Sequence, residues 1–240
     1  MKILIVRHAD PDYSIDSLTK TGWEEAELLS RRLCRLDVKA FYVSTMGRAQ
    51  DTASLTLKKL GREAEVCPWL REFGNPVIKP YDETPSVCWD WLPEVWTQEP
   101  KNYHLESWAD TELFRSAQIP QQYRWVTTAF DEILARHGYI RDGEVYRTEQ
   151  GNEDTIVFFC HFGLECILLS HLLHISPMLL WHGCCAAPSS VTTLISEERR
   201  KGIVYFRMNA FGDTSHLYAA GREPSFSGRF CETFESDQRH

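Results

Sequence analysis

No apolar run in this 240-residue chain approaches the roughly 18 residues needed to span a membrane. The longest candidate, Ile156 to Cys160, is broken by His161. The amino terminus, MKILIVRHAD, offers only four apolar residues between Lys2 and Arg7, too short for a signal-peptide core, and no small-residue cleavage site follows. There is no C-x-x-C pair, and the vicinal Cys184-Cys185 does not match a zinc spacing. The eight scattered cysteines therefore read as reduced, mostly buried thiols, not as a disulfide framework. Positive charge is also scarce: the net charge of −8 argues against a nucleic-acid groove, while leaving room for a local positive pocket. Neither G-x-G-x-x-G nor G-x-x-x-x-G-K-[ST] occurs, so nucleotide binding by those routes has no support. Internal repeats and low-complexity segments are missing too. What remains is an ordinary globular composition, 43% hydrophobic and 25% charged, in a chain long enough for a substantial core. The expectation is a soluble, cytoplasmic protein with no membrane or nucleic-acid partner.

The run Lys2-Ile3-Leu4-Ile5-Val6 suits a strand buried on both faces. It stops at Arg7-His8-Ala9-Asp10-Pro11, where Pro11 keeps Asp10 out of helical geometry. Thr21-x-x-Glu24 reads as a capping box for a helix carrying Ala26, Leu29, Leu33 and Leu36, with Thr19 as an alternative cap. Phe41-Tyr42-Val43 is a short strand ending at Ser44-Thr45. A second helix runs from about Arg48 to Leu60, closed by Gly61, and a third strand from Glu65 up to Leu70 ends at Arg71-Glu72. This β-α-β-α-β order predicts an α/β fold: a three-layer α/β/α sandwich around a mainly parallel sheet. In such sheets the ligand crevice lies beyond the carboxyl ends of the strands. Arg7-His8, Ser44 to Arg48 and Arg71-Glu72 all fall there.

Periodicity then fails from Phe73 to Gln118, a stretch holding Trp89, Trp91, Trp96 and Trp108. Its aromatic content argues against disorder, so residues 73–118 read as an ordered insertion lying over the crevice as a lid. A helix follows from Gln121 to His137, then a hairpin at Asp142-Gly143. Thr155 to Cys160 is the strongest strand, delivering His161 to its carboxyl end just before a helix from Gly163 to His174. Ser190 to Ile195 and Ile203 to Met208 read as two further strands. Residues 221–240 read as a mobile or loosely docked tail on a single domain of 1–240.

His8 and His161 each end a central strand, with Arg7 and Arg48 at the same rim. Like charges converging there would be costly unless an anion fills the gap. Arginine forks match phosphate oxygens, and the helix near Gly163 adds N–H groups and a positive dipole end. His171-x-x-His174 could be a metal pair at helical spacing, but no nearby carboxylate or cysteine completes a set, so a packed or solvated helix face is the preferred reading.

The ordered set Arg7-His8-Ala9-Asp10, Leu18-Thr19-x-x-Gly22, Ser44-x-x-x-Arg48-Ala49-x-x-Thr52-Ala53, Glu72 and His161-Phe162-Gly163 resembles the histidine phosphatase superfamily, whose best-known branch is phosphoglycerate mutase-like. The matches span residues 1 to about 216. The resemblance implies a metal-independent phosphoric monoester hydrolase with no cofactor, acting on a small phosphorylated molecule or a phosphopeptide. His8 would be the nucleophile, Arg7, Arg48 and His161 would hold the transferring group, and Glu72 would be the general acid and then base. The residues agree: covalent catalysis needs a neutral imidazole, and phosphoryl transfer needs charge stabilisation more than covalent help. The catalytic set is thus His8, Glu72 and His161, with Arg7, Arg48 and Gly163 on the substrate. Two departures stand out. The family's Arg-His-Gly-Glu reads Arg7-His8-Ala9-Asp10, where alanine removes backbone freedom, and an asparagine common in phosphate-binding members is replaced near Ser14. Both point away from the mutase branch and leave the phosphatase chemistry in place, with a phosphomutase and a non-catalytic phospho-ligand binder as alternatives.

Overall fold

The computed structural model describes residues 1–237 and 239. A central sheet is built from β1 (Lys2–Arg7), β4 (Ala40–Ser44), β5 (Glu65–Cys67), β6 (Ile140–Asp142), β7 (Val145–Arg147), β8 (Thr155–Cys160), β9 (Val191–Arg200) and β10 (Ile203–Asp213). Its order is β5-β4-β8-β1-β9-β10-β7-β6. The half that carries the crevice, β5-β4-β8-β1, is parallel, as the β-α-β-α-β pattern predicts. The other half is an antiparallel extension that begins with β9 against β1. A separate two-stranded ribbon, β2 (Pro11–Asp12) with β3 (Ser17–Leu18), shapes the loop after β1.

Alternation along the central strands divides the core into two layers. Leu4 and Val6 of β1 and Val157 and Phe159 of β8 pack with Leu29 and Leu33 of α1 (Lys20–Leu33) and Ala49 and Ala53 of α2 (Gly47–Leu60). Ile3, Ile5, Ile156 and Phe158 face the other way, against α5 (Ile119–Arg136), α6 (Phe162–Leu173) and α7 (Pro177–Gly183). Helix α6 is apolar nearly all round, as its burial between the sheet and α5 and α7 requires. Helices thus cover both faces, the sandwich expected from the sequence.

Element boundaries depart from expectation in instructive places. Thr19, not Thr21, caps α1: its Oγ1 accepts from Gly22 N–H at 3.0 Å, and the helix opens at Lys20, so Thr21 already lies inside the first turn. Strand β5 ends at Cys67 because Pro68 has no N–H to continue the ladder, and a 3-10 turn, Pro68–Leu70, carries the chain on to Glu72. Strands β9 and β10 run past the expected ends, to Arg200 and Asp213.

The tryptophan-rich stretch holds α3 (Pro93–Trp96), a 3-10 turn (Pro100–Tyr103) and α4 (Glu112–Ser116). Phe73, Val77, Cys88, Trp108 and Phe114 belong to the α5–α7 side of the core. At about 1.5–3 kcal/mol for each fully buried large side chain, this anchoring makes the insertion part of the domain. The tail has none of this anchoring. After α8 (Ser215–Tyr218) it returns toward the β1 loop with no residue in any core cluster among the described ones; Gln238 and His240 lie outside the described residues.

Candidate active site

The carboxyl ends of β1, β4 and β8 place Arg7-His8, Ser44 and His161 on one rim, and α2 and the turn after β5 bring Arg48 and Glu72 to it. The backbone at His8 is pinned from both sides. Its N–H donates to Cys160 O (3.0 Å) and its carbonyl accepts from Ser189 N–H (3.1 Å). The ring is buried, and Nδ1 lies 2.8 Å from Ala9 O, an acceptor only, so Nδ1 carries the proton and the Nε2 lone pair is left free. Burial, then the Arg7 charge and more weakly Arg48, hold the His8 pKa well below the usual imidazole value against the pull of the Ala9 carbonyl.

His161 stands beside it, with ring centroids 5.1 Å apart. Burial, then His8, Arg48, Arg7 and Arg71, likewise keep its pKa well below the ordinary value. Its Nε2 lies 2.9 Å from Ser44 Oγ, which also accepts from Met46 N–H at 3.2 Å. A hydroxyl proton given to Nε2 would leave His161 with its proton on Nδ1. That Nδ1, together with Arg7 Nε and Arg48 Nε, is buried without a protein partner. The two guanidinium N–H groups, and the imidazole when its proton is on Nδ1, are what an anion would satisfy.

Both arginines are held in place. Arg7 Nη1 donates to Ala186 O, and its guanidinium lies 5.8 Å from the Phe162 ring centre. Arg48 Nη1 donates to Asp16 Oδ1 at 2.6 Å, and the other oxygen of Asp16 accepts from Gly47 N–H at 2.7 Å. Thr52 joins α2 to the loop after β1, accepting from Ala9 N–H (3.0 Å) and donating to Arg48 O (2.7 Å). Ala9 lies outside the left-handed region, so alanine in place of glycine costs no strain there. Ser14 is exposed and bonds Asp12, and Thr45 accepts from Arg71.

Glu72 occupies the start of α6. Its Oε1 accepts from Phe73 N–H (2.8 Å) and from Leu164 N–H (3.0 Å). Burial pushes its pKa up, and these two N–H groups and the arginines only partly oppose it. Gly163, expected on the substrate, is pressed against Glu72. A Cβ there would fall 2.7 Å from Glu72 Oε1 and 2.5 Å from Trp89 Nε1. The amino end of α6 is therefore filled by the protein's own carboxylate. Gly22 has a similar reason: a Cβ on it would fall 2.2 Å from Asp10 O, where the loop after β1 crosses α1.

Sequence reasoning missed Asp16, the role of Ser44 and the position of Trp89. The Ser44-x-x-x-Arg48 spacing carried a signal for the second. Asp16 reaches Arg48 through a loop residue with φ of 48°, and Trp89 sits in the aperiodic stretch, so neither had a local one. His171 pairs with Asp131 and His174 with Glu144, so the two imidazoles diverge.

The sequence matches a family model, the histidine phosphatase superfamily (branch 1), over residues 3–209. The chain belongs to that superfamily. Among its relatives, the serine/threonine-protein phosphatase Pgam5, mitochondrial, of Caenorhabditis elegans is 35% identical over 148 residues, covering 58% of this chain and 47% of that protein. The Drosophila melanogaster protein of the same name is 40% identical over 85 residues, 31% of this chain and 29% of its own length. The chain thus spans less than half of these relatives. A probable phosphatase of Schizosaccharomyces pombe is 23% identical over 231 residues, covering 90% of this chain and 95% of that protein. Among solved structures, a phosphoserine phosphatase from Entamoeba histolytica superposes with a TM-score of 0.60 at 15% identity, covering 90% of this chain and 98% of that one. A mycobacterial glucosyl-3-phosphoglycerate phosphatase gives 0.58 at 16%, covering 89% and 99%. These structures show that the superfamily fold is shared. No helix among the described residues is long and apolar enough to cross a membrane.

Proposed function

We propose that this superfamily member hydrolyses phosphomonoesters without a metal, through a phosphohistidine on His8. One observation carries the reading. His8 Nδ1 is committed to Ala9 O while burial and Arg7 keep the ring neutral, so Nε2 is a permanent nucleophile at neutral pH. Nε2 attacks phosphorus, the P–O bond to the alcohol breaks, and Glu72 supplies the proton the departing oxygen needs. A water then attacks phosphorus, the P–Nε2 bond breaks, and the water gives a proton to Glu72 as phosphate and free His8 are released. Arg7, Arg48 and the Nδ1–H of His161 neutralise charge on the transferring oxygens, which is the main demand of phosphoryl transfer. The raised pKa of Glu72 suits a group that must hold a proton in one step and take one back in the next. Gly163 serves by letting the acid approach, not by touching the ester.

The names of the relatives cover both protein and small-molecule phosphatases, and the substrate proposed for this chain is a small phosphorylated molecule. The insertion is proposed as the wall on the acid side. Trp89 is the residue that brings it there, since its ring lies over Gly163 and edge-on to Phe162 at 5.7 Å. Rapid quenching with a labelled aryl phosphate in the presence of a chelator tests the mechanism. An acid-labile, base-stable phosphoenzyme that His8→Ala abolishes is expected. Hydrolysis lost with the chelator, or surviving in His8→Ala, would overturn it.

A further inference from the structure

The nucleophile loop is in contact with the carboxyl-terminal segment of the chain. Ser225 Oγ donates to Asp10 Oδ1 at 2.5 Å, and Ser227 Oγ donates to the same oxygen. Asp10 is two residues beyond His8. The Ser225 N–H reaches Glu25, whose other oxygen accepts from Asp10 N–H. The next turn of chain passes directly over the Arg7 guanidinium. A Cβ on Gly228 would fall 2.7 Å from Arg7 Nη1 and 3.2 Å from Ala186 O, so only a residue without a side chain fits there. Cys185 Sγ donates to Gly228 O at 2.9 Å. Beyond it, Arg239 donates to Ser227 O (3.1 Å) and lies 3.8 Å from Asp90, the neighbour of Trp89 in the insertion. The segment therefore bridges from the nucleophile loop to the insertion across a guanidinium that the mechanism gives to the phosphoryl group.

Its attachment is of a different kind from that of the insertion. Phe226 is half-buried, while Phe230 and Phe234 are 45% and 86% exposed. Hydrogen bonds and ion pairs join the segment to the body, each contributing far less than a buried aromatic, and none of its described residues belongs to a core cluster. Such a segment can leave without opening the core.

We propose that residues 225–229 are a strap that selects substrate by size, admitting small phosphorylated molecules while it is latched on Asp10 and excluding phosphorylated side chains carried on a polypeptide. This rests on the phosphatase reading of the same site. A free phosphoester needs room only for itself, whereas a phosphopeptide must lay backbone on both sides of the phosphate, across the line the strap occupies. Apparent affinity for the larger ligand is then reduced by the fraction of molecules that are unlatched.

The test compares the full chain, a chain ending at Gly221, and Ser225→Ala/Ser227→Ala, which keeps the segment but removes both hydroxyls of the latch. The substrates are para-nitrophenyl phosphate, free phosphoserine and a phosphoserine peptide. Shortening the chain should raise kcat/KM for the peptide about tenfold or more if a tenth of the molecules are open, with the double variant following in the same direction. The two small esters should stay within about twofold, since the strap already admits them. An unchanged peptide rate alongside normal aryl hydrolysis would overturn the strap, as would an equal loss on all three substrates. A full chain inactive on every ester would instead refute the phosphatase reading. Peptide binding to His8→Ala, measured by calorimetry with and without residues 222–240, would then decide the strap: tighter binding on shortening supports it, and equal binding refutes it.

Discussion

The contact between Gly163 and Glu72, the proposed acid, makes Gly163→Ala a sharp test of how Glu72 works. An added methyl would sit 2.7 Å from Glu72 Oε1 and 2.7 Å and 2.5 Å from Trp89 Cε2 and Nε1. Ordinary contact begins near 3.4 Å, so the carboxylate and the indole must retreat by roughly 0.7 to 0.9 Å. Trp89 has little freedom to do so, because its Nε1 donates to Phe73 O at 3.2 Å and its ring packs edge-on against Phe162. Glu72 must therefore move, and its bonds to Phe73 and Leu164 N–H must stretch. A displacement near 1 Å in a reacting group can cost about 100-fold in rate. Alkyl phosphates, whose leaving group must be protonated, should lose about 10- to 100-fold in kcat. Para-nitrophenyl phosphate, which leaves with little help, should lose much less. Overpacking adds about 1–3 kcal/mol of destabilisation, visible as a lower Tm. Parallel steady-state assays on an alkyl and an aryl ester give the answer as a ratio, which cancels any loss of folded protein. If kcat falls equally for both, or for neither, Glu72 is not the acid that Gly163 makes room for.

Ser44→Ala frees the His161 Nε2 to carry the proton, so kcat should fall about tenfold, on the order of one lost hydrogen bond, with KM little changed and the His161 ring-nitrogen NMR signals exchanging tautomer; identical spectra would refute the assignment. Gly22→Ala drives a methyl to 2.2 Å from the Asp10 carbonyl, and a loss of about 1–3 kcal/mol in urea denaturation is expected. Glu165 supplies a pH prediction. Burial raises its pKa from 4.5 to about 7 in the folded chain, with Thr192 and Arg7 opposing only in part. The folded state then holds a proton that the unfolded state releases, so this stability is full below pH 4.5 and is lost as pH rises through 7, about 3 kcal/mol in all. Glu165→Gln should flatten that decline between pH 5 and 8; a variant that loses stability in parallel with the parent would refute it.

The parallel half of the fold was legible because each of its strands announces itself locally. Apolar β-branched runs stop at a polar residue, and the stop is where the site begins: Arg7 after Val6, His161 after Cys160. Both histidines stood out at strand ends and Arg48 and Glu72 just beyond them, while their roles came from the resemblance that the whole set carries. The antiparallel half was harder, because β9 and β10 continue into exposed, charged residues that carry no alternation signal. Within the site, legibility ended where a role depends on what a residue meets. Ser44 is visible as a hydroxyl at a strand end, but its hold on His161 requires β4 and β8 to be neighbours.

Gly163 shows the same limit more sharply. A glycine opening a helix beside a histidine reads as an anion site, because the backbone N–H groups of a helix start are free. Here the free N–H at Leu164 is taken by Glu72, a carboxylate brought in from a turn 92 residues earlier in the chain. The helix end is thus still occupied by a carboxyl group, as its dipole favours, but that group is the protein's own Glu72. That placement sets two opposing pressures on one proton. Burial favours the protonated acid, while Leu164 N–H, Phe73 N–H and the two arginines favour the carboxylate. A group needed as acid in the first step and base in the second works best when neither pressure dominates, so the glycine matters through the balance it permits at Glu72.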